Sequence, residues 1–224
     1  MQAEVPKQYL MVAGKSLLQH SLERLGALPE IDRIVVALAA EDSDWPMLLQ
    51  HLPTNITDKL LLAEGGAERM ESVANALSAL QPFAADDDWV LLHDAVRPCV
   101  HPSDVRKLMR ELLQERAGGL LAVPVRDTLK ESDGSQLVVR TVERSRIWQA
   151  ATPQMFRFAV LQRAIQRVQA EHKIVTDEAS AVEALGLPVR LVPGRSDNIK
   201  VTYPEDLVLA AAVLQAQARE VPDK

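Results

Sequence analysis

Residues 60–94 read LLLAEGGAERMESVANALSALQPFAADDDWVLLHD, and this stretch decides the fold. Leu60 to Ala63 is a short continuous apolar run followed by Gly65-Gly66, the pattern of a buried strand. Glu68 to Leu80 carries Val73, Leu77 and Leu80 on one 3.6-period stripe, which predicts a helix. Trp89 to Leu92 is a further apolar run ending on His93-Asp94. The same alternation extends in both directions. Upstream, Ser16 to Leu25 reads as a helix with Leu17, Leu18, Leu22 and Leu25 inward, and Ile34 to Ala39 as a strand. Downstream, a helix starts at Ser103 with Val105, Leu108, Leu112 and Leu113 inward, followed by a strand from Leu120 to Val125. Ala159 to Val168 and Asp177 to Leu185 read as helices, the second stopped by Gly186 and Pro188. Val189 to Val192 and Ile199 to Val201 read as short strands, and Pro204 to Ala218 as a closing helix. Such alternation predicts one α/β domain over residues 1–224. Its sheet would be Rossmann-like and mostly parallel, with helices on both faces.

One segment breaks the pattern. Between Val125 and Trp148, Asp133-Gly134 lies between Thr128-Leu129 and Leu137-Val138-Val139, a β-hairpin signal. No second core surrounds it, so residues 126–147 read as a projecting arm. An isolated two-stranded ribbon is marginal in water, so such an arm invites a partner.

Composition narrows the functional classes. With 47% hydrophobic and 25% charged residues, the chain is neither disordered, collagen-like nor a disulfide scaffold. A formal net charge of −6 argues against a general nucleic-acid coat, though not against a local basic pocket. The single cysteine, Cys99, cannot form an internal disulfide, and a reducing cytoplasm is expected. No apolar run of about 18 residues predicts a membrane span. The opening MQAEVPKQYL lacks the order of a signal peptide.

In open α/β sheets ligands bind beyond the carboxyl ends of the strands. Four such places are loaded: Gly65 to Arg69, His93 to Pro98, Arg126 to Thr128, and Lys200 in Asn198 to Val201. Each has a plainer alternative. Gly65-Gly66 can be a turn, Asp94 can simply pair with Arg97, and Lys200 can reach solvent. His93, after an apolar run, reads as a satisfied near-core histidine. The histidines show no metal-ligand spacing, and no Ser-His-Asp elbow, Walker loop or Rossmann glycine fingerprint is visible. Residue types and spacing therefore reach an α/β enzyme with cations at strand ends and an anionic substrate.

Longer strings carry more. Pro6-Lys7-Gln8-Tyr9-Leu10, Gly65-Gly66-Ala67-Glu68-Arg69 with Ser72-Val73, and His93-Asp94-Ala95-Val96-Arg97-Pro98 occur in that order. Pro124 to Thr128, Thr152-Pro153-Gln154, Thr176 to Ser180 and Asp197 to Thr202 follow. Together they resemble the 2-C-methyl-D-erythritol 4-phosphate cytidylyltransferases of non-mevalonate isoprenoid synthesis, across essentially the whole chain. The resemblance implies CMP transfer from CTP to a sugar-alcohol phosphate, with Mg²⁺ held mainly by the CTP phosphates and no metal ligands from the protein. It implies catalytic roles for Lys7, Lys200 and Arg144, the last reaching the site from the other subunit of a homodimer. Gly66, Ala67, Ser72 and Ala95 match the nucleotide pocket. Asp94, Arg97, Thr128, Thr152 and Thr176 match acceptor contacts. Ala67 replaces an aspartate found in some relatives, a change that a backbone contact would survive.

The family pattern opens with an apolar strand and a glycine-rich turn ahead of Pro-Lys-Gln-Tyr-Leu, and Met1 stands at that pattern's methionine. Two expectations follow: residues upstream of Met1 in the natural chain, or a folded but catalytically crippled binding or dimer-forming module. Within the enzyme class, a cytidylyltransferase for another polyol phosphate, such as ribitol 5-phosphate, is the alternative.

Overall fold

The computed structural model describes residues 5–220. A 3₁₀ turn at Lys7–Tyr9 leads into a small hairpin, β1 (Met11–Val12) and β2 (Lys15–Ser16). Ala13 and Gly14 both take positive φ there, as a tight two-residue hairpin demands. Ser16 caps α1 (Leu17–Gly26) by accepting the Gln19 N–H. β3 (Ile34–Leu38) is followed by two short helices, α2 (Trp45–Leu49) and α3 (Thr54–Thr57), and by β4 (Leu60–Glu64). Then come α4 (Arg69–Leu80), β5 (Trp89–Leu92), α5 (Pro102–Leu112) and β6 (Gly118–Pro124). The predicted arm is β7 (Leu129–Ser132) and β8 (Val138–Val142), an antiparallel pair turning through Asp133-Gly134. The chain continues as β9 (Trp148–Arg157), α6 (Phe158–Ala170), α7 (Glu178–Glu183), β10 (Arg190–Pro193) and α8 (Pro204–Gln217).

The main sheet runs β10-β6-β9-β5. Neighbouring residues of β6 show why it is the centre. Leu120 packs with Phe156, Leu161 and Ile165 on the α6 side, and Leu121 with Leu108, Leu112 and Val192 on the α5 side. Successive side chains of a strand point to opposite faces, so burial of both means helices cover both faces. The strand starts on Gly118, whose φ is +142° and whose added Cβ would lie 2.1 Å from the Met155 carbonyl oxygen. Only glycine fits that approach.

Two differences from expectation shape the site. β10 pairs with β6 in parallel, as β3 does with β4, but β9 enters antiparallel to both β6 and β5. Its register shifts between Leu120 and Ala122, a bulge that falls at residues 151–153 of β9 and re-aims Thr152. In addition, β3 and β4 pair only with each other, and β5 ends the main sheet. Among the described residues no strand lies between β3 and β5. A cleft of about 820 Å³ separates them, lined by Val35, Val36, Val90, Leu91, and residues of α1 and α4.

Two expectations need correction. Leu113 lies beyond the end of α5 and is exposed, because the inward stripe closes at Leu112. Residues 199–201 form no strand; Val201 is tied by one backbone bond to Val96 and then leads into α8. No described helix is long and apolar enough to cross a membrane.

Candidate active site

The carboxyl end of β5 carries a cluster of charged side chains. Asp94 is 7% exposed there, and three cations converge on its carboxylate. Arg69 Nη1 donates to Oδ1 at 2.9 Å; Arg97 Nε (3.3 Å) and Lys200 Nζ (3.2 Å) lie on Oδ2. Burial alone would raise this carboxyl group's pKa, but Arg69, with Lys200 and Arg97, outweighs it and holds the group below the usual range. Three cations against Asp94 and Glu178 leave the cluster net positive, ready for an anion.

The floor beneath Asp94 is fixed by hydrogen bonds. The bulge of β9 presents Thr152 Oγ1, which accepts the Asp94 N–H at 3.1 Å. His93 Nε2 lies 3.1 Å from the Arg97 carbonyl, which can only accept, so Nε2 carries the proton, and in the neutral ring Nδ1 accepts from the same Thr152 hydroxyl at 2.9 Å. Burial pushes the His93 pKa down to about 4, which keeps the imidazole neutral at pH 7 in this one tautomer. Asn198 closes the floor: its side chain donates to the Thr152 carbonyl, and its own carbonyl accepts from Arg97 Nη1, both at 2.8 Å.

This floor predicts a pH signature. An unfolded histidine titrates near 6.5, whereas His93 in the fold takes up its proton only near 4. Between those values the unfolded chain binds the extra proton, so stability falls as pH drops through that window, by about 3 kcal/mol at most. Urea unfolding of wild type and His93→Gln at pH 7 and pH 4.5 checks this. The wild type should lose more between the two pH values than the variant; equal losses would refute it.

Two further lysine and loop positions complete the cluster. Lys7, set by the 3₁₀ turn after Pro6, donates from Nζ to the Thr202 carbonyl at 3.1 Å. That contact brings it to the segment that carries Lys200. Lys200 is half exposed and paired, not a buried lysine within a strand. Ahead of α4, the Ser72 hydroxyl accepts the Gly66 N–H at 2.9 Å, and Glu71 accepts the Ala67 N–H at 2.7 Å. Ser72, Ala95 and Arg69 all line the cleft between β3 and β5. Cationic side chains thus gather at strand ends beside a cleft, in the order the sequence strings require.

The family of 2-C-methyl-D-erythritol 4-phosphate cytidylyltransferases (IspD) matches residues 1–216. The chain belongs to this family. It is 49% identical to the 2-C-methyl-D-erythritol 4-phosphate cytidylyltransferase of Dechloromonas aromatica over 216 residues, 96% of this chain and 92% of that protein. With the enzyme of that name from Pseudomonas putida it shares 52% over 208 residues, 92% of this chain and 87% of the relative. The Francisella tularensis 2-C-methyl-D-erythritol 4-phosphate cytidylyltransferase crystal structure superposes with a TM-score of 0.82 at 34% identity, covering 94% of each chain.

This cytidylyltransferase brings some of its expected site residues together and leaves others apart. Asp94, Arg97, Thr152, Lys200 and Lys7 are joined through the contacts above. Thr152 is 5% exposed, and its hydroxyl is engaged inward with His93 and Asp94. Thr176 is exposed just ahead of α7, and Thr128 is exposed at the base of the arm. Arg144 lies past β8, where it donates to the Arg126 carbonyl. Among the described residues no hydrogen bond or ion pair joins it to the Asp94 cluster of its own chain. Sequence reasoning missed Arg69 and Glu178 as site residues. Both sit inside quoted strings, but nothing in the strings says that they touch.

Proposed function

We propose that this cytidylyltransferase carries CMP from CTP to the 4-phosphate of 2-C-methyl-D-erythritol 4-phosphate and releases pyrophosphate. The observation that carries the reading is the net-positive cluster around Asp94 at the strand ends, in a chain of this family. An oxygen of the acceptor phosphate forms a bond to the α-phosphorus. The bond from that phosphorus to the bridging oxygen of the β-phosphate breaks, and the electron pair leaves with pyrophosphate. Both reactants are anions, so the protein's contribution is positioning and charge neutralisation. Lys7 stabilises the charge on the α-phosphate, and Lys200 spans the attacking phosphate and the α-phosphate. Lys200 would exchange its Asp94 contact for these oxygens as the acceptor's hydroxyls settle on Asp94 and Arg97.

Gly66, Ala67, Ser72 and Ala95 face the nucleotide. Thr128, Thr152 and Thr176 serve the acceptor, Thr152 by holding His93 and Asp94 in place. Asp94, the site's carboxylate, is committed to three cations, and no described group of three His, Cys, Asp or Glu side chains could hold a metal ion. Magnesium would be held mainly by the CTP phosphates and would supply charge neutralisation at the leaving pyrophosphate. The reading includes a homodimer completed by the arm and a cytoplasmic setting, which the lone buried Cys99 suits.

The deciding experiment compares acceptors. With CTP and magnesium, 2-C-methyl-D-erythritol 4-phosphate should turn over, and ribitol 5-phosphate should stay near background. The reverse would overturn the acceptor. Asp94→Asn should raise the acceptor KM by about tenfold to a hundredfold, the scale of hydrogen bonds to a charged group, while the KM for CTP holds. A change confined to CTP would contradict the assignment.

A further inference from the structure

We propose that Arg69 is a positioning residue that locks the acceptor end of the site, tying the hydroxyl-binding carboxylate of Asp94 to α7 through Glu178. The inference rests on the reading of Asp94 given above.

Arg69 opens α4 and reaches in two directions at once. Nη1 donates to Asp94 Oδ1 at 2.9 Å, and Nη2 donates to Glu178 Oε2 at 3.0 Å with Oε1 at 2.9 Å. Glu178 lies 109 residues later in the chain and is fully buried in the first turn of α7. Its Oε1 has no hydrogen-bond partner, so Arg69 is the cation that offsets this charge. A planar guanidinium can serve two carboxylates on two elements in fixed geometry; a lysine ammonium is a point charge and holds no such fork.

α7 is itself held firmly. Its start is capped by Asp177 and Ser180, and Gln154 of β9 both donates to Asp177 Oδ2 and accepts the Ala179 N–H, each at 2.8 Å. Gln154 is two residues from Thr152, which supports Asp94 from below. Arg69 therefore closes a ring from Asp94 through Glu178, α7 and β9 back to Thr152. Thr176, two residues ahead of Glu178, rides on the same ring. Hydroxyl and phosphate contacts to the acceptor would keep a constant spacing for this reason. Arg69 adds no contact to the acceptor itself.

The test is a double-mutant cycle on the full chain. Arg69→Ala strands a buried carboxylate and can lose the fold, so Arg69→Lys is the working variant and Glu178→Gln the second. Arg69→Lys should keep the cooperative unfolding of the parent and raise the KM for 2-C-methyl-D-erythritol 4-phosphate about tenfold, with kcat and the KM for CTP changed less than about twofold. Glu178→Gln should move the same parameter in the same direction. In an Asp94→Asn background the effect of Arg69→Lys on the acceptor KM should shrink to less than about twofold, because its target is gone. Equal effects in both backgrounds would overturn the proposal, since they mark a general packing role. So would a rise in the KM for CTP, which marks a nucleotide contact. If the wild type fails to use this acceptor, the functional reading falls first and the inference with it.

Discussion

Lys7→Ala should lower kcat by a factor of about 10² to 10³ at saturating substrates, whichever polyol phosphate is offered. The reason is electrostatic. In a displacement between two anions, negative charge builds on the α-phosphate, and a fixed ammonium there is worth most in the transition state. Lys7 is pre-set for this. The 3₁₀ turn holds its backbone, Tyr9 in the same turn is buried with its hydroxyl 2.7 Å from Asp42 Oδ1, and Nζ rests on the Thr202 carbonyl. That carbonyl accepts one of the three ammonium protons, and the remainder can meet phosphate oxygens. A single hydrogen bond to a backbone oxygen at a half-buried position contributes little to stability, so the unfolding midpoint should shift by no more than about 4 °C. Steady-state kinetics with both substrates varied, beside a thermal melt, separates the outcomes. A drop in kcat below threefold, or an effect on KM alone, would remove Lys7 from the catalytic step.

The alternation of residues 60–94 reached the longer helices and most strands because each buries one continuous stripe or run, whereas the short helices α2 and α3 carry no such stripe. Strand β9 escaped for physical reasons. Trp148 to Arg157 mixes Gln149, Thr152, Pro153 and Gln154 among its apolar residues, so neither alternation nor a continuous run is visible. The strand is kept by pairing on both edges, with β6 and β5, and by a bulge that serves the site. Its buried Gln154 is satisfied by α7, a contact that no local window contains. Lys200 misled in the opposite way. Ile199 and Val201 look like strand residues, but they pack beneath α8 while Lys200 pairs with Asp94. The site shows the same division. Asp94, Arg97, Lys7 and Lys200 were readable as charged residues in a recognisable order. The meeting of Arg97 and Lys200 on Asp94, with Lys7 on the nearby Thr202 carbonyl, depends on the tertiary fold, and Arg69 with Glu178 depends on it entirely.

Mixing two inactive variants should restore activity. Arg144→Ala and Lys200→Ala should each be severely impaired alone, since under the proposed roles each would remove a cation from the reacting phosphates. The arm explains why they should complement. Leu137, Val138 and Val139 are 67%, 61% and 60% exposed on its returning limb, and a lone two-stranded ribbon with such a face gains by burial against another subunit. If two arms cross about a two-fold axis, each brings its Arg144 to the neighbour's Asp94 cluster. In a heterodimer, the Arg144→Ala subunit then keeps its own Lys200 and receives an intact Arg144 from the Lys200→Ala partner. The opposite site loses both. With free exchange at equal concentrations, half of the dimers are mixed and each has one intact site, so specific activity should approach about a quarter of the wild-type value. If Arg144 instead served its own subunit, every site in the mixture would lack one cation, and activity would stay at the mean of the two variants. Subunit exchange, verified with differently tagged chains, makes that low value decisive against the crossed arm.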